Sequence, residues 1–264
     1  MRGRGARGEG RGNRDNTPSS RPLHPSPFTI HPHERLIVAL DFTALGPALH
    51  IARQLRGIVR TVKIGSALFT ACGPEAIHRM RALGFKVMLD LKFHDIPSTV
   101  ALSCHAVVRH RASLMTVHAA GGAEMLCAAA DSVRMEARRL RVARPRLLAV
   151  TVLTSVGAPP ASDLARRVVA SARMAQRSGC DGVVASAREA PSIRRALGRS
   201  LLIVCPGIRS PGQQAGDQSR ICAPEEALRR GADALVVGRP VTAARHPRAV
   251  AQQILTEMEA MHAC

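Results

Sequence analysis

The sequence has no tryptophan, no tyrosine and only five phenylalanines. Proteins that bind single-stranded nucleic acid stack bases on such rings, so composition speaks against that class. No run approaches the ~20 apolar residues of a membrane-spanning helix. The seven cysteines, at 72, 104, 127, 180, 205, 222 and 264, include no CxxC pair and are odd in number. That spacing fits neither a disulfide framework nor a cysteine zinc site, and a reducing, cytoplasmic compartment is expected. The N-terminus is basic but lacks an apolar core, so it does not read as a secretory signal.

Lysine is scarce too. Of 38 basic residues all but Lys63, Lys86 and Lys92 are arginine. The net charge of +19 is spread along the chain, and residues 1–35 hold seven arginines against Glu9, Asp15 and Glu34. A compositional drift toward arginine explains this more simply than a nucleic-acid surface, and no specific nucleic-acid partner is expected. In such a chain lysine is informative, because it can give up and regain a proton where arginine effectively never does. Lys63 closes an apolar run, Thr61-Val62-Lys63-Ile64, and Lys92 lies in the most charged stretch, whereas Lys86 reads as a solvated strand start.

That stretch runs Met88-Leu-Asp-Leu-Lys-Phe-His-Asp-Ile-Pro-Ser-Thr99. An apolar run ends in Asp90, Lys92, His94 and Asp95, four ionisable groups within six residues. Period-two alternation directs Asp90 and Lys92 to one side of a strand, and Pro97 suits the first turn of the next helix. Carboxylate, ammonium and carboxylate at a strand end point to a functional site.

The remainder of the chain is an alternation. Residues 1–33, rich in arginine and glycine and then in proline, serine and histidine, form a low-complexity extension expected to be disordered. Residues 34–264 read as one domain. Candidate strands are Leu36–Leu40, Thr61–Ile64, Lys86–Leu91, Leu114–Val117, Leu147–Leu153, Gly182–Ala185, Leu201–Val204 and Ala234–Val237. Segments of helical spacing lie between them. Near-continuous apolar strands separated by helices predict a parallel sheet covered by helices, and eight of them predict a (β/α)8 TIM barrel, with a doubly wound sheet as the alternative.

In a barrel, function belongs at the C-terminal ends of the strands. Polar residues gather there: Asp41, Lys63, Asp90 with Lys92, His118, Thr154 with Ser155, Pro206-Gly-Ile-Arg209 and Gly238-Arg239-Pro240. The opposite ends are expected to carry little beyond arginine and glycine. The last two clusters follow strands seven and eight, where backbone N–H groups and arginine forks can hold a phosphate. The stretch from Gly207 to Ala223 reads as a lid.

These residues resemble those of the orotidine 5′-phosphate decarboxylases. The shared motifs are Ala-Leu-Asp (39–41), Val-Lys-Ile-Gly (62–65), Asp-Leu-Lys-Phe-His-Asp-Ile-Pro (90–97), Val-His-Ala-x-Gly-Gly (117–122), Val-Leu-Thr-Ser (152–155), Pro-Gly-Ile-Arg (206–209), Gly-Asp-Gln (216–218) and Val-Gly-Arg-Pro (237–240). They run in order from about Leu36 to Leu255, with Ser98 and Ala120 standing where many members carry asparagine and serine. The resemblance implies conversion of orotidine 5′-phosphate (OMP) to UMP and CO2, the last step of de novo pyrimidine nucleotide biosynthesis. It implies no metal or organic cofactor, and a homodimer with shared active sites. It gives Lys92 the stabilisation and protonation of the ring carbanion, flanked by Asp90 and by Asp95 of the partner subunit and supported by Lys63. Asp41 and Lys63 are implied at the ribose, Thr154 at the pyrimidine, and Ile96 and Thr99 across the dimer interface. Arg209, Gln218, Gly238 and Arg239 are implied at the phosphate. His94 and His118 are read as structural hydrogen-bonding residues. The rival readings are a magnesium-dependent sugar-phosphate barrel, such as a keto-gulonate-phosphate decarboxylase or hexulose-phosphate synthase, and a basic nucleic-acid-binding protein on a decayed barrel.

Overall fold

The computed structural model describes residues 32–153, 161–209 and 222–259. Eight parallel strands close on themselves in sequence order: β1 (Leu36–Ala39), β2 (Thr61–Gly65), β3 (Lys86–Phe93), β4 (Leu114–His118), β5 (Arg146–Val150), β6 (Gly182–Val184), β7 (Leu202–Cys205) and β8 (Ala234–Val237). Closure is made by β8 beside β1, with Leu36 opposite Leu235. The barrel expected from the alternating pattern is therefore present, and the doubly wound alternative is not.

Both faces of each strand are buried, which is why the strands read as continuous apolar runs. Leu36, Val38, Val62, Ile64, Val87 and Leu89 point outward into the core shared with the helices. Ile37, Ala39, Met88, Leu148, Val150, Val184, Leu202, Val204, Ala234 and Val236 fill the barrel interior. The helices supply the outer wall through one apolar stripe each. Helix Gly122–Leu140 buries Met125, Leu126, Ala129, Ala130, Val133 and Ala137. Pro97 starts helix Pro97–Arg109, where its missing N–H costs nothing.

Three local departures from the sequence reading have physical causes. First, β3 runs two residues beyond Leu91. Its pairing with β4 slips between Leu89, opposite Met115, and Phe93, opposite Val117. Three residues of β3 thus oppose Thr116 alone, a bulge that lengthens the strand. Second, β5 stops at Val150, short of the expected Leu153, although the Thr151 N–H still reaches the Val184 carbonyl at 3.1 Å. Third, the N-terminal ends of the strands are not merely arginine and glycine. Asp181 and Asp233 sit immediately before β6 and β8. Asp181 accepts an Arg144 fork at 2.5 and 2.8 Å and the Leu147 N–H at 2.8 Å. Asp233 accepts from Arg194 and from the Ile203 N–H at 2.7 Å. Glu34 meets Lys86 at 2.8 Å on the same side. Many of the arginines expected there are counter-charges to these carboxylates.

Candidate active site

Period two decides what faces the mouth of the barrel. On β1 and β2 the inward series are Ile37, Ala39, Asp41 and Thr61, Lys63, Gly65; on β3 Met88 is followed by Asp90. Strand register sets Ala39 beside Lys63, Lys63 beside Met88 and Gly65 beside Asp90. The interior thus changes from apolar to charged within one residue pair.

The charges form a chain of alternating sign. The Lys63 Nζ donates to Asp41 Oδ1 at 2.8 Å and lies 3.4 Å from Asp90 Oδ2. The Lys92 Nζ is 2.9 Å from Asp90 Oδ1. Lys63 and Asp90 are buried, whereas Lys92 is 37% exposed and Asp41 opens to solvent. Burial by itself would raise the Asp90 carboxyl. The Lys63 and Lys92 ammoniums, with hydrogen bonds from Lys92 and Thr116, outweigh burial and hold it below the usual aspartate value.

Gly65 makes room for this chain. A Cβ on it would stand 2.9 Å from Asp41 Oδ1 and 3.1 Å from Lys63 Nζ. Sequence reading takes Gly65 only as part of a motif; the need for glycine lies in two side chains from other positions. Thr116 is likewise invisible in sequence, a single hydroxyl in the apolar run Leu-Met-Thr-Val. It donates to Asp90 Oδ1 at 3.0 Å.

A cavity of about 400 Å³ brings together seven of the expected site residues: Asp41, Lys63, Asp90, Lys92, Arg209, Gly238 and Arg239. Its apolar wall is Val150, Val152, Leu153, Val184 and Val236. A volume of this order suits a small ligand with one planar face and a few polar groups. Burial, and then the Arg239 guanidinium nearby, push the Arg209 guanidinium below its ordinary value. Two mutually repelling guanidiniums in one pocket are chemistry suited to an anion. At Gly238 a Cβ would meet Ala39 and Asp41 only at 3.6 and 3.9 Å, ordinary contacts. Local packing does not demand glycine there, so the open space is left to the cavity.

Asp95, Ile96 and Thr99 do not join this cavity. All three are exposed, and the Asp95 Oδ1 accepts the Ile96 N–H at 2.6 Å rather than an ammonium. Ile96 is 63%, Leu102 72% and Met135 67% exposed. Thr154 and Gln218 lie outside the described residues, as do Ser155, most of the expected lid and residues 1–31.

His118 accepts the Ala120 N–H through Nδ1 at 3.1 Å and stacks on His94 with ring centroids 5.3 Å apart. Burial, followed by His94 and Lys92, lowers the His118 pKa. Its Nδ1 is thus engaged by the backbone. The six cysteines among the described residues are all free. Burial pushes the Cys104 and Cys180 thiols up to about 12, which leaves them poor nucleophiles. Among the described residues no cluster of three or more His, Cys, Asp or Glu is arranged to hold a metal, and no helix is long and apolar enough to cross a membrane.

Comparison with known proteins places the sequence and the fold in one family. A sequence model of the orotidine 5′-phosphate decarboxylase / HUMPS family matches residues 34–254. An orotidine 5′-phosphate decarboxylase of Moorella thermoacetica is 44% identical over 237 residues, covering 87% of this chain and 94% of the relative. One of Halorhodospira halophila is 46% identical over 233 residues, covering 86% and 96%. The crystal structure of orotidine 5′-phosphate decarboxylase from Lactobacillus acidophilus superposes with a TM-score of 0.74 at 34% identity, covering 85% of this chain and 99% of that one.

Proposed function

Since the chain belongs to the orotidine 5′-phosphate decarboxylase / HUMPS family, we propose that it converts OMP to UMP and CO2, as the carboxy-lyase that closes de novo pyrimidine nucleotide synthesis. The observation that carries the reading is the Asp41–Lys63–Asp90–Lys92 chain in one cavity with Arg209 and Arg239. The substrate has a phosphate for the arginines, ribose hydroxyls for Asp41 and Lys63, and a flat base for the valine and leucine wall.

The bond between C6 of the base and its carboxylate breaks, CO2 departs, and the electron pair stays on C6. Lys92 stabilises that charge and transfers an Nζ proton to C6, giving UMP; solvent then reprotonates the amine. Preorganised charge at the site of a developing carbanion is the largest contribution available without an electron sink. Binding energy from the remote phosphate is released at the reacting carbon. Gly238 lets the backbone approach the phosphate, and Thr154 and Gln218 complete the base and phosphate contacts.

The active form is a cytoplasmic homodimer. Asp95, Ile96 and Thr99 belong to the partner's pocket, and the exposed Ile96, Leu102 and Met135 are the apolar surface a second copy covers. A magnesium-dependent sugar-phosphate barrel is the weaker reading. Asp41 and Asp90, the carboxylates that would hold a divalent ion, are already engaged by Lys63 and Lys92.

The test is the loss of OMP absorbance catalysed by the wild type and by Lys92→Ala, with and without EDTA. Activity in the wild type, absent in the variant and indifferent to EDTA, is the expected result. A wild type inert toward OMP sinks the reading, and loss of activity on chelation favours the magnesium-dependent one.

A further inference from the structure

The β3 bulge leaves a backbone problem that one side chain solves. Lys92 adopts φ +51°, a left-handed conformation costly for any residue but glycine. It sits where the β3–β4 ladder is interrupted, so its N–H has no strand carbonyl opposite it. The Lys92 N–H donates instead to Thr116 Oγ1 at 2.9 Å. The same hydroxyl donates its own proton to Asp90 Oδ1 at 3.0 Å. Asp90 Oδ1 in turn holds the Lys92 Nζ at 2.9 Å. A closed ring results: Lys92 backbone to Thr116, Thr116 to Asp90, Asp90 to the Lys92 ammonium.

Thr116 is 0% exposed. Its neighbours Met115 and Val117 face the outer core, which leaves Thr116 on the inner side of β4. It does not line the cavity, so it acts on substrate only through Lys92 and Asp90.

We propose that Thr116 is a positioning residue for decarboxylation, setting the Lys92 backbone and the Asp90 carboxylate in one geometry through a single hydroxyl. This deepens the decarboxylase reading above and rests on it. The hydroxyl is needed in both senses at once, as acceptor and as donor. Serine can do both, and valine, of the same shape, can do neither.

Thr116→Val opens no large cavity but takes the acceptor from a partly buried N–H and removes a donor from Asp90. Small displacements of reacting groups are costly, with about 1 Å worth up to roughly 100-fold. The expectation is that kcat falls roughly 10- to 100-fold with KM changed less than about threefold, because Arg209 and Arg239 are untouched. The acid limb of the kcat profile moves toward higher pH, since Asp90 has lost a hydrogen bond to its charged form. Thr116→Ser recovers most of kcat.

A second measurement needs no turnover: hydrogen exchange of the Lys92 amide, expected to be at least about tenfold faster in Thr116→Val than in wild type or Thr116→Ser. Folded Thr116→Val with wild-type kcat and wild-type Lys92 exchange overturns the proposal. Equal loss of kcat in Val and Ser also overturns it, because the methyl group and not the hydroxyl would then matter. If the wild type does not decarboxylate OMP, the function proposed above fails, and Lys92 exchange alone decides whether Thr116 holds that backbone.

Discussion

In the proposed decarboxylation Lys92 is the residue on which the chemistry turns, and its type matters more than its charge. Arginine at 92 would keep a cation beside Asp90 but could not deliver a proton. Lys92→Arg is expected to lower kcat by at least about 10⁴-fold, since general-acid and electrostatic contributions are both lost or displaced. Binding of UMP, which the proposed function assigns to the arginine pair, should weaken by less than about tenfold; equilibrium titration of the variant checks this. Asp90 contributes to the pH dependence of stability. Its folded pKa lies below the unfolded one, so between the two the unfolded chain binds more protons. Its contribution is therefore complete above the ordinary aspartate range and is lost as pH falls through and below it. Urea midpoints taken from pH 5 to pH 3 should decline more steeply in wild type than in Asp90→Asn; parallel declines would show that Asp90 is not the responsible group. The scarcity of lysine made Lys63 and Lys92 legible in sequence. Thr116 was not, because a threonine inside a strand is unremarkable until its two partners are in view.

At the scale of elements, the two ends of the strands divide their work. The C-terminal ends hold the charge chain and the arginine pair. The N-terminal ends are fastened by Asp181 and Asp233, each accepting the N–H of a neighbouring strand's second residue and gripping an arginine. Conservation of structure at that end serves stability in this fold. Asp181→Ala leaves the Arg144 guanidinium and the Leu147 N–H without their acceptor. A loss of about 3 kcal/mol is expected, or roughly 6–12 °C in melting temperature. The kcat/KM of the folded variant should stay within about twofold of wild type, because the cavity lies at the other end of the barrel. Calorimetry and steady-state kinetics on one preparation separate the two effects. Strand and helix identities were readable from periodicity, whereas the β3 bulge was not: it depends on how β4 registers against β3.

At the scale of the whole molecule, the stretch from Asp90 to Thr99 faces two ways. Asp90 and Lys92 point into the chain's own cavity, while Asp95, Ile96 and Thr99 face outward. If the proposed homodimer shares its sites, Lys92→Ala and Asp95→Ala are each inactive alone. Refolded together at equal amounts, they should recover about a quarter of wild-type activity, because half of the dimers are mixed and each mixed dimer has one intact site. No recovery would place Asp95 outside the partner's site. Part of the gross positive charge is paired within the fold: Arg139 pairs with Glu136, Arg144 with Asp181, Arg194 with Asp233 and Arg230 with Glu226; the net +19 is the excess over all carboxylates.

The sequence by itself determined the alternation of strands and helices, the placing of charge at the C-terminal strand ends and the identity of the charged groups, while closure into a barrel came from the structure. These follow from local rules: two-residue alternation, helical spacing between apolar runs, and charge placed where an apolar strand stops. Tertiary structure alone decided which of those groups meet. The Asp41–Lys63–Asp90–Lys92 chain joins β2, β3 and the loop after β1. The glycine at 65 answers to Asp41 and Lys63, and the hydroxyl at 116 answers to a bulge in the strand beside it. Such contacts depend on the register between strands distant in sequence, which no local pattern encodes.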